Sequence, residues 1–382
     1  MSERPGSPDR IAPGMRIVIL GLSITSSWGN GHATTFRSLV RGLSERGHDV
    51  LFLERDQPWY ADNRDLPKPP YGHIEIYGSL AELRERFGPE IRNADLVVIG
   101  SFVPDGVAVG DWVARAARGI TAFYDIDTPV TLALLAREGC DYLCPRQVPQ
   151  YDLYLSFTGG PILERMARGY SAARVRPLYC GCDPELYYPE PSERLWELGY
   201  LGTYSADRQP LLDRLLLEPA RRLAESRFAV AGAQYPENLV WPANVERIGH
   251  LAPPAHRGFY TAQRFTLNVT RADMIRWGHA PSVRLFEAAA CGTPVISDVW
   301  EGLDTFFEPG REILVARSSA EMIQYLVEFP ETLRQRMSQR ARARVLAEHT
   351  AAHRAAALES YVAECRGDRA AAATPARRRT AS

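Results

Sequence analysis

Residues 15–22, MRIVILGL, are apolar but for Arg16 and run at once into SITSSWGNGHATTF, a loop rich in glycine and hydroxyls. That loop opens a helix from about Ala33 to Arg46, closed by Gly47. A strand with no polar face belongs inside a parallel sheet covered by helices on both sides. The next apolar run, DVLFLE (49–54), completes a strand, loop, helix, strand unit, whose crossover should be right-handed. The same beat continues through ADLVVIG (94–100), ITAFYDID (120–127), YDLYLSF (151–157) and VRPLYCG (175–181), with helical segments between. This alternation predicts an α/β chain with a doubly wound parallel sheet.

GCDPELYYPEPSER (181–194) breaks the rhythm with three prolines and mixed charge, and we place a domain boundary there. The alternation then restarts with LWELGYLG (195–202), a helix near 208–224, RFAVAG (227–232), FTLNVT (265–270), a helix in SVRLFEAAACG, TPVIS (293–297) and EILVAR (312–317). From about Ala320 to Cys365 the chain reads as consecutive helices. A chain of 382 residues exceeds one ordinary hydrophobic core, which agrees with two domains. The expected division is 15–185 and 186–345, two Rossmann-like units, then a helical segment at 346–366, with 1–14 and 367–382 disordered. Two such sheets joined by one linker face each other across a cleft, and ligands bind at the carboxyl ends of the strands.

Composition narrows the partners. Formal net charge is −1, so there is no global attraction for nucleic acid or an anionic membrane, and anion binding must be local. The start, MSERPGSPDR, lacks the apolar core of a secretory leader, and no apolar run approaches the ~20 residues needed to cross a bilayer. A cytoplasmic setting is expected, with the six cysteines as free thiols. Cys140, Cys144, Cys180 and Cys182 raise a four-thiolate zinc site, but their spacing departs from C-x2-C, and buried free cysteine is common.

Four stretches carry chemistry. In GNGHATTF (29–36), Gly29 and Gly31 let backbone approach a ligand, and the helix start favours negative charge. His32, at the rim of the expected cleft, is either a base for an acceptor hydroxyl or a helix-capping residue. FYDIDTP (123–129) brings Asp125 and Asp127 to the same sheet edge. Either can orient His32 or hold substrate hydroxyls, Asp127 can cap a helix, and a D-x-D metal site lacks a third ligand.

GTYSADRQP (202–210) suits a diphosphate through Gly202, the hydroxyls of Thr203 and Ser205, and Arg208; Ser205 or Asp207 as a plain cap is the simpler reading. RADMIRWGHAPSVRLFEAAACG (271–292) holds Arg271, Arg276, His279, Ser282, Arg284 and Glu287. Glu287 either pairs with Arg284 one helical turn away or accepts from two ribose hydroxyls while arginines neutralise phosphates. QPWYADNRDLPKPPYG (57–72) offers Trp59 and Tyr60 as faces for an acceptor sugar, or is a packed surface loop.

GCDPELYYP together with S-x-R-L-F-E-A-A-A-C-G-T-P-V-I-S-D resembles the GT-B glycosyltransferases of the group 1 type. LGTYSADRQPLLDRLLLEPA and RADMIRWGHAPSVRLFEAAACG are similar more narrowly to the CgeB-type (spore maturation protein) branch. The resemblance implies two Rossmann-like domains, an acceptor on the first, a nucleotide-diphospho-sugar on the second, and a final helix returning to the first. It implies Glu287 on the donor ribose and Arg276, Arg284 or the Gly202 loop near the diphosphate. It implies no metal and no further cofactor, since arginines and helix starts stabilise the leaving group.

Many retaining members carry Glu-x7-Glu, whereas His279 stands eight positions before Glu287 here. The G-N-G-H string is similar to inverting GT-B enzymes in which a histidine is the base and an aspartate supports it. The expected set is therefore His32, Asp125 and Asp127 as catalytic residues. Gly31, Gly202, Thr203, Tyr204, Ser205, Arg208, Arg276, His279, Ser282, Arg284 and Glu287 are expected on the donor. The acceptor is a saccharide, lipid-linked group, metabolite or protein, and nucleic acid is not expected. A nucleotide-sugar-binding protein without catalysis and a GT-B-fold epimerase are the alternatives.

Overall fold

A computed structural model describes residues 14–137 and 139–373. In the first domain β1 (Arg16–Gly21), β2 (Asp49–Arg55), β3 (His73–Tyr77), β4 (Leu96–Gly100), β5 (Ile120–Asp125), β6 (Leu153–Ser156) and β7 (Val175–Pro177) form one sheet. Its order is β3-β2-β1-β4-β5-β6-β7. In the second, β8 (Trp196–Leu201), β9 (Phe228–Ala231), β10 (Val245–Ile248), β11 (Gln263–Asn268), β12 (Val295–Ser297) and β13 (Leu314–Val315) stand in the order β10-β9-β8-β11-β12-β13. All of these pairings are parallel, so both sheets are the doubly wound kind that the alternation predicts.

The apolar runs form central strands because both of their faces are covered. On one side of the first sheet Leu53, Phe123 and Tyr154 are buried, and on the other Phe36, Phe52 and Leu155. The strand order reverses between β1 and β4 in the first sheet and between β8 and β11 in the second. At such a reversal the following loops diverge and leave a crevice. The loops after β1, β8 and β11 are those that hold the GNGH, GTYSADR and TRAD strings.

The helix expected near 208–224 is broken into Gln209–Leu212, a wider turn at Asp213–Leu217, and Glu218–Arg222. Pro219 lacks the N–H that would continue an α-helical ladder, and a wider turn accommodates it.

The chain passes from the first domain to the second near Cys182 and returns near Thr350. The two passages run side by side: Cys182 N donates to His349 O and Ala351 N donates to Cys182 O, both at 2.8 Å. The helix Ala351–Ala373 then packs on the first domain, burying Ala355, Leu358, Val362 and Cys365 in its core. Arg46 and His48 both reach Glu359, at 2.6 and 2.7 Å. Disorder from residue 367 is therefore corrected as far as Ala373, because Arg369 grips Asp152 at 2.7 and 2.8 Å and holds that end of the helix. Residues 374–382 and 1–13 lie outside the described residues.

Candidate active site

The first wall of the cleft is the loop after β1 and the helix His32–Glu45. Glu54, fully buried at the end of β2, accepts from Ile24 N at 2.7 Å, Thr25 N at 2.9 Å and Thr25 Oγ1 at 2.7 Å. Arg37 donates to Ile24 O at 2.8 Å and pairs with Asp65. Those bonds fix the loop ahead of His32. Asn30 Oδ1, rather than His32, caps the helix by accepting from Ala33 N at 3.1 Å.

His32 Nε2 lies 3.3 Å from Asp127 Oδ2, and its ring meets Phe102 edge-on with centroids 5.5 Å apart. Phe102 holds this place with φ +62°, a strained backbone for a bulky side chain. His32 Nδ1 is buried and has no hydrogen-bond partner; with Nε2 held by Asp127, it is the ring nitrogen left to take a proton. Asp127 is the more open member, its side chain 23% exposed against 7% for His32. Burial by itself raises the pKa of Asp127, but the His32 bond and charge, with Arg271 and Arg208 across the cleft, hold it below the usual carboxylate value.

The second wall comes from the loops after β8 and β11 and from the helix Val283–Ala290. Arg284, buried at the helix start, turns to the strand ends: Nε donates to Leu201 O at 2.6 Å and Nη1 to Asn268 Oδ1 at 2.9 Å. Its guanidinium lies 4.7 Å over the Tyr200 ring. Ser282 caps the helix by accepting from Arg284 N at 3.3 Å. Asp298, at the end of β12, accepts from Thr270 N at 3.1 Å and Thr270 Oγ1 at 2.8 Å, which fixes the turn ahead of Arg271. Burial pushes the Asp298 carboxyl up to about 6.

Glu287 is 2% exposed. Its Oε2 accepts from Tyr260 OH at 3.1 Å; burial pushes that phenol well above its usual pKa, so it stays a donor. His256 stands 3.8 Å from the same oxygen, its Nε2 2.9 Å from Leu251 O. Oε1 of Glu287 is buried and has no partner. An unpaired buried carboxylate oxygen is costly, and a ligand hydroxyl relieves that cost. The guanidinium Nε atoms of Arg208 and Arg271 are also buried without a hydrogen bond.

A cavity of about 510 Å³ runs between the walls. It brings together Gly31, His32 and Asp127 from the first domain with Gly202, Thr203, Arg208, Ser282, Arg284 and Glu287 from the second. Tyr60 lines it, while its neighbour Trp59 is 52% exposed.

Five expected residues stand elsewhere. Asp125 is fully buried behind the site, accepting from Tyr154 OH at 2.5 Å and Thr131 Oγ1 at 2.7 Å, so Asp127 alone of the pair reaches His32. Alternation along the strand end explains the divergence. Arg276 points outward, 75% exposed and 3.8 Å from Asp273, and Arg271 takes its expected place in the cleft. Tyr204 packs against Tyr235, their centroids 5.5 Å apart, and Ser205 bonds Asp207. His279 sits in the contact between domains.

Glu54, Asp298 and Tyr260 were missed as supports of the site. A strand-end carboxylate at 54 and another at 298 were the available signals. The six cysteines are free, and among the described residues no group of three His, Cys, Asp or Glu side chains could hold a metal ion. No helix among the described residues is long and apolar enough to cross a membrane.

The architecture is GT-B, and comparisons with known proteins bear on it directly. Residues 208–360 match the family model described as "Glycosyl transferase-like". No curated protein matches the chain. The fold is similar to that of sucrose-phosphate synthase from Thermosynechococcus elongatus, with TM-score 0.63 and 16% identity over 94% of this chain and 99% of that one. It is similar to HepE of Anabaena in complex with UDP and glucose, with TM-score 0.67 and 14% identity over 91% of this chain and 99% of that one. An alpha-glucosyltransferase in complex with UDP-glucose and DNA containing an abasic site gives TM-score 0.69 and 12% identity, over 92% of this chain and 100% of that one.

Proposed function

We propose that this protein is a metal-independent glycosyltransferase that moves a sugar, in the manner of a hexosyltransferase, from a nucleotide-diphospho-sugar to an acceptor hydroxyl, with inversion. The first domain holds the acceptor and the second the donor. The observation that carries the reading is Glu287, a buried carboxylate that lines the cleft with Oε1 unpaired and is therefore suited to ribose hydroxyls. The match of residues 208–360 and the complexes of similar folds with UDP and with UDP-glucose support it. The RADMIRWGHAPSVRLFEAAACG string favours the CgeB-type branch, and the composition favours the cytoplasm.

In this reading the acceptor oxygen attacks the anomeric carbon while the bond from that carbon to the diphosphate breaks. The bonding electron pair leaves on the diphosphate oxygen, where Arg208 and Arg271 meet the charge. The acceptor proton passes to Nδ1 of His32 as base, while Asp127 accepts from Nε2 and fixes the ring. Tyr60 suits a sugar ring beside that pair, and the acceptor remains one of the classes named above.

The test is transfer from a panel of nucleotide sugars, with donor affinity by calorimetry. His32→Ala loses ~10²–10⁴-fold in turnover at nearly unchanged donor affinity. Glu287→Ala weakens donor binding by about 10–100-fold, the value of a hydrogen bond to a charged group. Unchanged turnover in the first variant removes the base, and unchanged affinity in the second removes the ribose contact. Donor altered without any acceptor points to the epimerase, and binding without chemistry to the non-catalytic protein.

A further inference from the structure

His279 has φ +48°, a backbone region that side chains with a β-carbon rarely adopt. Its N–H donates to Glu301 O at 2.6 Å, within the second domain, and its carbonyl accepts from Gly159 N of the first domain at 2.9 Å. The imidazole lies between two glycines from opposite domains. A β-carbon on Gly160 would stand 2.3 Å from Cδ2 of the ring, and one on Gly302 would stand 2.2 Å from Nδ1. Both glycines have positive φ, +64° and +84°, so backbone strain as well as the ring excludes a side chain at either place.

Nearby, Trp277 packs against the core of the first domain, and the helix Ala272–Trp277 lies against the helix Thr128–Leu135. The segment from Arg271 to Ser282 thus has cleft-lining residues at its two ends and contacts with the other domain in its middle.

We infer that His279 is a positioning residue, the pin of an interdomain seam that sets segment 271–282 against the first domain. It holds Arg271 and Ser282 opposite the His32–Asp127 pair. The catalytic consequence rests on the glycosyltransferase reading; the seam rests on the contacts alone. A residue eight positions ahead of Glu287 is turned out of the cleft here, so no side chain at that place meets the donor.

Three variants test this. His279→Gly keeps the left-handed backbone and both main-chain hydrogen bonds and removes only the ring. His279→Asn, which tolerates the same backbone, serves if the glycine variant folds poorly. His279→Glu places an acidic side chain here. Small-angle scattering and hydrogen exchange of ligand-free protein are expected to show a larger radius of gyration and faster exchange around Gly159 in every variant. Donor affinity changes by less than about threefold, while kcat for transfer falls at least about tenfold and donor hydrolysis rises relative to transfer, as misplacement of reacting groups demands.

Scattering and exchange identical to wild type overturn the seam. Unchanged kcat with an opened seam overturns the positioning role, and a gain of transfer in His279→Glu overturns the orientation. If wild type neither transfers nor hydrolyses any nucleotide sugar, the function fails, and scattering and exchange still decide the seam.

Discussion

Arg271 precedes one short helix and Arg276 lies in its last turn; they carry the same charge, yet only Arg271 lines the cleft. At about 3.6 residues per turn they point in widely different directions. Spacing alone showed too many arginines for an apolar segment; it did not show which one turned inward, because that depends on how the helix docks on the first domain. Arg271→Ala should therefore lower kcat/KM by about 10²–10³-fold, as removal of a charge-stabilising donor does, and Arg276→Ala should stay within about threefold. Steady-state kinetics of the two variants check this, and equal losses would move the anion site away from Arg271. The same limit applies to Asp125 and Asp127. Their spacing placed both at one sheet edge, and only the fold shows that Asp127 meets His32 while Asp125 turns inward.

The strands legible in the sequence were those built on an unbroken apolar stretch, such as residues 17–20 in β1 and 96–99 in β4. Two strands escaped notice, β3 (HIEIY) and β10 (VERI), and each is one of the two outer strands of its sheet. An edge strand keeps one side wet, so its mixed pattern resembles a loop. At the inner end of β5, burial pushes the Asp125 carboxyl up to about 6. Its folded pKa thus exceeds the unfolded value. The stability it contributes is fully present below about pH 4 and is lost as pH rises through about 6. Asp125→Asn keeps the shape and removes the ionisation. Relative to wild type, the variant should be more favourable at pH 7.5 than at pH 4 by on the order of 2–3 kcal/mol. Urea unfolding at the two pH values measures it, and parallel curves would rule out a buried ionisation at this position.

At the scale of the molecule, the repeated strand–helix beat and the proline-rich interruption were enough to read two sheets and a cleft. The twinned passages at Cys182 and Thr350, and the residues that meet across the domains, depend on long-range contacts with no local signature. The helix Ala351–Ala373 supplies Leu358, Val362 and Cys365 to the core of the first domain. A buried aliphatic side chain contributes about 1.5–3 kcal/mol, so removing the helix costs an amount comparable with a domain's net stability. A chain ending at Thr350 should lose exchange protection in β1, β5 and β6 and retain it in β8, β9 and β11. Hydrogen exchange reads both halves, and protection kept in β1 would show that the first sheet stands without its last helix. Among the described residues that helix is the final element in chain order. On the ribosome, the sheet that emerges first therefore waits with one face only partly covered, by Phe36, Leu39 and Leu43 of its first helix, while the sheet made second already has all of its strands. The core of the N-terminal domain is thus completed last, against the usual order in which that domain finishes first.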